Sequence, residues 1–166
     1  MAYSYKLIEA KTLGSTAASI TFNSIPQTYT DLNVLCSIRG STNGDGIYVQ
    51  FNGNTSSYSV RQLFGDGSSV ASNTPGQTNY GTIGYTTTVT SNTFGNLSIY
   101  VPNYTSSNNK SYSADSVQEA NQTQAYMNLV AGLWSNSSAI TSLTIACQVG
   151  NLETNSTFYL YGIKSS

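Results

Sequence analysis

The sequence contains no histidine, so its carboxylates are the first candidates for acid–base chemistry. Histidine is the commonest general base and metal ligand, so its absence removes Ser-His-Asp catalysis. Glycoside hydrolysis needs two carboxylates that face each other, and Glu9 and Asp31 would meet only by an accident of folding. We therefore predict no catalytic residue and no enzymatic activity. The acidic residues are Glu9, Asp31, Asp45, Asp66, Asp115, Glu119 and Glu153.

Two of these aspartates lie in glycine-flanked turns, Asp45 in NGDG and Asp66 in FGDG. A calcium loop is one interpretation, because hard cations bind carboxylate and carbonyl oxygens in flexible turns. One carboxylate per turn falls far short of that pattern, whereas aspartate is common in ordinary turns. The sequence therefore predicts turn aspartates, with no metal site and no cofactor.

The aromatic side chains suit binding better than catalysis. A sugar-stacking platform is conceivable for Trp134, but its apolar neighbours favour a core or rim position. Tyrosines flank the polar loops, and tyrosine is enriched at interfaces because it brings contact area at little entropic cost. Outward tyrosine is also common on any β-protein. The candidate partner contacts are Tyr3, Tyr5, Tyr80 and Tyr104.

The two cysteines, Cys36 and Cys147, are in phase with the inward-facing residues of their predicted strands. We predict that both are small buried hydrophobic residues. A disulfide between them would require neighbouring strands, and a cytoplasmic origin disfavours it.

Charge is sparse: charged residues make up 8% of the chain and the net charge is −1. Lysine and arginine are scattered, which argues against nucleic acid binding through phosphate neutralisation. No apolar run reaches the ~18 residues of a membrane span. The N-terminus lacks the apolar core of a signal peptide, so we expect assembly in a cytoplasm.

A two-residue alternation of apolar and polar residues, interrupted by Gly, Pro, Asn and Ser, predicts strands along most of the chain. One example is segment 93–117, for which the sequence predicts a strand, a corner at Pro102, a polar loop and a second strand from Lys110. Residues 31–51 are predicted to form a hairpin with a longer loop, and residues 65–84 a long exposed loop. Segment 125–134 fits a helical stripe in part, but strand is favoured because its neighbours are strands.

About ten strands, with turns recurring at intervals of roughly 8–12 residues, are typical of a sandwich or barrel. The sequence predicts an all-β protein, a jelly-roll-like antiparallel β-sandwich. At 166 residues it should form a single domain, 1–166, with an N-terminal arm at 1–13.

Several stretches together resemble a group of small virion proteins of tailed bacteriophages. They are SITFNSIPQTYTDLNVLCSIR (19–39), YVPNYTSSNNKSYSADSV (100–117), LW (133–134), ITSLTI (140–145) and STFYLYGI (156–163). The resemblance implies a jelly-roll-like module on the head (decoration or cement protein) or on a tail fibre, with symmetric association, commonly as homotrimers. It implies no catalysis.

We therefore expect a capsid decoration protein bound outside the head, assembled in the host cytoplasm and contacting itself and the major capsid protein or other virion proteins. The arm at 1–13 and the predicted loop at 65–84 are the candidate contact segments. A tail-fibre tip that binds host surface glycans is the alternative, and its signature would be a groove lined by tyrosine, Trp134 and asparagine. A non-viral lectin-like module on the same fold is a third hypothesis.

Overall fold

Strands form all the regular structure in the residues that the computed structural model describes, 3–86, 90–119 and 125–165. Accordingly, none of these residues belongs to a helix that could span a membrane. In chain order the strands are β1 Tyr3–Thr12, β2 Ser19–Phe22, β3 Asp31–Ile38, β4 Gly46–Phe51, β5 Tyr58–Gly65, β6 Val70–Asn73, β7 Gly81–Tyr85, β8 Gly95–Val101, β9 Lys110–Gln118, β10 Tyr126–Trp134, β11 Leu143–Cys147 and β12 Thr157–Ser165.

The strands form two antiparallel sheets. The large sheet has eight strands in the order β1-β12-β3-β8-β9-β10-β5-β6, and the small sheet has four in the order β2-β11-β4-β7. Successive described strands alternate between the sheets except at β5–β6, β8–β9 and β9–β10, which are neighbours in the large sheet. The predicted fold class, an all-β antiparallel sandwich, is confirmed, with twelve strands where the sequence indicated about ten.

The core lies between the two sheets, and alternation along each strand determines which side chains enter it. In β9 every second residue from Lys110 to Gln118 is buried and the others are exposed. Cys36 and Cys147 both point into this core as free thiols, as predicted. Burial raises the pKa of Cys147 to about 12 and that of Cys36 even further, so both thiols are protonated at neutral pH.

The predicted hairpin over residues 31–51 is wrong. Strand β3 belongs to the large sheet and pairs with β12 and β8, whereas β4 belongs to the small sheet and pairs with β11 and β7. The connection between β3 and β4 crosses from one sheet to the other. Alternation identifies a strand and its buried face, but it does not identify the strand's partner.

The predicted long exposed loop at 65–84 is also wrong. It contains β6 and most of β7, and residues 81–84 of β7 are buried. Glycine is needed at two of these positions because side chains of the large sheet occupy the space. A Cβ at Gly81 would lie 1.9 Å from the Tyr112 hydroxyl oxygen, and one at Gly84 would lie 2.4 Å from Ser116 Oγ. The segment has few large apolar residues because side chains of the large sheet fill the space over its glycines.

Residues 3–12 of the segment predicted as an N-terminal arm form β1, an edge strand of the large sheet. Strand β1 pairs with β12 along its whole length, with a bulge between Leu7 and Glu9. The segment is therefore built into the sandwich, and one of its backbone edges has no neighbouring strand among the described residues.

Candidate docking surface

Glu9 and Asp31, the two carboxylates considered for catalysis, are engaged in local structure. Glu9 forms an ion pair with Lys11 at 2.9 Å, and Asp31 accepts hydrogen bonds from the Tyr100 hydroxyl and the Asn103 amide, each at 2.8 Å. Glu9 and Asp31 lie two strands apart and three residues out of register, which places their Cα atoms roughly 14 Å apart on a flat sheet. Each of the two carboxylates is therefore held by its own partners, on strands that are two apart in the sheet.

Both turn aspartates accept backbone hydrogen bonds, as the turn interpretation predicted. Asp45 is buried and accepts from the amide of Gly150 at 2.7 Å, which ties two loops together. Asp66 accepts from the amides of Ser68 and Ser69 at 2.9 and 2.7 Å, and these bonds lower its pKa to about 2. Within the described ranges, no three metal-ligating side chains come together.

Trp134 is a core residue, as favoured by the sequence. Its side chain is only 1% exposed and packs against Phe51 and Tyr58, with ring centroids 5.7 and 6.3 Å away. It therefore does not line a surface groove, and the sugar platform considered for it is ruled out in this fold.

Tyr104, proposed from the sequence as a partner contact, is fully buried. Its hydroxyl donates a hydrogen bond to the carbonyl of Pro26, and burial raises its pKa. The polar loop after Pro102 turns back over the core, and the Tyr104 carbonyl accepts from the amide of Ile140 at 2.9 Å. Tyr104 is therefore a core residue, and its side chain is not exposed in the way the sequence interpretation assumed.

The other three tyrosines do not form one site. Tyr5 is 60% exposed on β1 and packs edge-to-face on Tyr161, with centroids 6.4 Å apart. Tyr80 precedes β7 in the small sheet and stacks on Tyr48 at 4.4 Å. Tyr3 lies in β1, but its side chain is outside the described residues.

The main surface feature is the outer face of the large sheet, which sequence reasoning missed. Two groups of exposed apolar side chains lie on it. The tyrosine half-face, on β1, β12, β3 and β8, consists of Tyr5, Leu7, Leu35, Tyr100 and Tyr159; the aliphatic half-face, on β9, β10, β5 and β6, consists of Leu63, Val70, Val117, Met127 and Leu129. The signal that could have found it was the presence of large apolar residues in the outward phase of strands whose inward phase is already apolar.

Strand register makes the aliphatic half-face continuous. Leu129 on β10 lies opposite Leu63 on β5, and Met127 lies opposite Val117 on β9. Gly65 on β5 lies between Met127 on β10 and Val70 on β6, and it has no side chain to fill the space between them. A groove of about 590 Å³ therefore runs over this glycine between the aliphatic side chains.

Comparison with known proteins gives information on the fold alone. No protein-family model matches the sequence, and no curated protein matches it. Among solved structures, the chain is similar to the exo-inulinase from Aspergillus awamori, with a TM-score of 0.53 and 17% sequence identity. The match covers 96% of this chain and 30% of the exo-inulinase chain, so this chain spans less than a third of that protein's length. The similarity supports the β-sandwich fold.

Proposed function

We propose that this chain is a structural protein of a bacteriophage virion, a decoration protein that docks on the outside of the head and stabilises the shell without catalysis. One observation carries the proposal. Of the exposed large hydrophobic side chains among the described residues, all except Val149 lie on the outer face of the large sheet. An apolar patch of this extent is typical of a protein–protein contact.

The dimensions of this face suit a broad docking contact. Eight strands at about 4.8 Å spacing make it roughly 38 Å wide, and seven residues per strand make it about 23 Å long. That area is roughly 850 Å², so a contact through four of the eight strands buries about half of it on each partner, which is at the low end for a specific interface. The face can therefore hold a protein partner without help from a pocket.

The partner assigned to the tyrosine half-face is the major capsid protein. Tyrosine combines an apolar ring with a hydroxyl, which suits a wet and largely uncharged contact. Such a contact depends little on salt, because few ion pairs contribute to it. The sequence resemblance to phage virion proteins motivates this partner, and it also implies that copies associate symmetrically on the particle, commonly as trimers.

The docking proposal predicts that Leu35→Asp lowers occupancy on particles that lack the protein by at least about tenfold. Leu35 is exposed at the middle of the tyrosine half-face, so aspartate there leaves the fold intact but buries an unpaired charge in the contact. Copies per particle are counted after mixing and sedimentation. Val149→Asp, on the exposed apolar residue outside this face, is the control and should bind like the wild type. Equal occupancy for Leu35→Asp and wild type would show that this face is not the contact.

A glycan-binding tail tip is the second candidate, favoured by the stacked pair Tyr48 and Tyr80. Beside it, the Gln50 side-chain amide donates to the Asn79 carbonyl at 2.9 Å, so aromatic and amide groups share one surface of the small sheet. Sugars stack on aromatic rings and bond to amides. Saturable binding on a glycan array that is lost in Tyr80→Ala but retained in Leu35→Asp would favour this candidate.

A further inference from the structure

Two opposite charges flank the central strand of the aliphatic half-face. Arg61 on β5 and Asp115 on β9 are both exposed, and β10 lies between them. Arg61 Nη1 donates to the adjacent Val60 carbonyl at 3.0 Å. Neither side chain forms an ion pair with another residue in the described parts of the chain.

Strand register fixes the positions of these charges. Arg61 pairs with Ala131 and Asp115 pairs with Leu129, two residues apart on β10. The two charges are therefore displaced in opposite directions from the midpoint between Leu129 and Ala131. On a flat sheet their Cα atoms are roughly 12 Å apart.

This arrangement is complementary to itself. Consider two copies packed face to face, with a two-fold axis in the plane of their contact. If the axis passes through that midpoint and is perpendicular to the Arg61–Asp115 line, it exchanges the two positions. Each Arg61 then lies over the Asp115 of the other copy. The same axis passes between Leu129 and Leu63, so these leucines of the two copies pack against one another at the centre. The contact therefore has an apolar centre with two reciprocal ion pairs beside it, as an isologous interface requires.

We propose that the aliphatic half-face is a self-association surface, on which a second copy of this chain docks about a two-fold axis with reciprocal Arg61–Asp115 pairs. The half-face measures roughly 19 by 23 Å, so the two copies bury about 870 Å² in total, which is at the weak end for a specific contact. We expect the free protein to dimerise weakly, with a Kd in the micromolar to millimolar range. About this axis the outer faces of the two copies point in opposite directions, so the dimer is a form of the free protein and not an arrangement of copies side by side on a shell.

The β1 edge of the large sheet is a poorer place for self-association. Strand β1 is ten residues long and has one backbone edge that no described strand covers, but it carries a bulge and the charged residues Lys6, Glu9 and Lys11. Bulges and edge charges are the features by which natural proteins prevent strand-to-strand pairing. The face is therefore the self-association surface, and a closed two-fold contact there does not propagate into fibres.

The test is sedimentation velocity of the purified chain from about 10 µM to about 1 mM, compared with the monomer mass of 17.7 kDa. We expect a reversible species of twice that mass. Arg61→Asp and Asp115→Arg should each weaken association at least about tenfold through like-charge contact, and the double variant should restore it. Leu129→Ser should also weaken association, whereas the control Val149→Ser should not.

Three results would overturn the proposal: a chain that stays monomeric throughout this range, a trimer insensitive to Leu129→Ser, or a double charge variant no better than the single ones. Thermal unfolding of each variant checks that the fold is retained. No particle is needed for this experiment, so its outcome is independent of the test of head binding.

Discussion

Replacing Gly132 with alanine should lower the free energy of unfolding by about 3 kcal/mol or more. Gly132 on β10 lies opposite Tyr112 on β9, and the Tyr112 ring lies flat across it. A Cβ at Gly132 would be 1.9 Å from Tyr112 Cζ. The ring cannot move away, because its hydroxyl already touches Gly81 of the small sheet, where a Cβ would also lie at 1.9 Å. The extra methyl group must therefore displace a strand or force Tyr112 out of the core.

Urea unfolding of Gly132→Ala measures this effect, and Gly14→Ala is the matched control. A Cβ at Gly14 would meet no other atom within 4 Å, and Gly14 does not adopt a positive φ. Its substitution should therefore change stability by no more than about 0.5 kcal/mol. In a Tyr112→Val background the cost of Gly132→Ala should largely disappear, because the clashing ring is gone. Equal stability of the two alanine variants would contradict this account of how the sheets pack.

Replacing Trp134 with alanine should cost about 3–5 kcal/mol. Trp134 is among the largest fully buried side chains and contacts Phe51 and Tyr58. The Tyr58 hydroxyl accepts a hydrogen bond from the buried amide of Phe51 at 2.8 Å. The cavity left by the substitution would remove the ring that packs against Tyr58 and so weaken this hydrogen bond as well. Trp134→Phe should cost less, because it fills part of the cavity and removes an indole nitrogen that has no hydrogen-bond partner among the described residues.

Tryptophan fluorescence provides an independent reading of the same position, because Trp134 is the single tryptophan of the chain. The native emission should be blue-shifted and poorly quenched by acrylamide, and both properties should be lost on unfolding. Tyr159→Ala, on the exposed face of β12, is the stability control and should have a small effect. Efficient quenching in the native state would place the indole at the surface and revive a sugar-stacking role for it.

Much of the strand content could be predicted from the sequence, because alternation is a local signal. The strict pattern of β9 and the strand assignment of 125–134 both follow from it. Sheet membership could not be predicted, because the partner of a strand depends on crossings between sheets rather than on its own residues. That is why β3 and β4 were expected to pair, and why the glycines of β7 were interpreted as a loop.

The docking surface was harder to predict for a related reason. Tyrosine positions were judged by residue type and by nearby loops, which correctly indicates exposed Tyr5 but also includes buried Tyr104. The outer face becomes visible only when register brings residues of separate strands into one row, as with Leu63 and Leu129. The two charges at Arg61 and Asp115 are likewise far apart in the chain and become neighbours only across β10.

Location on the particle tests the central claim most directly. Heads and tails of purified phage particles are separated, and the protein in each fraction is quantified relative to the major capsid protein. We predict a fixed number of copies on the outside of the heads and none on the tails. A protein that is absent from purified particles, or confined to tail tips, would contradict its role as a head decoration protein.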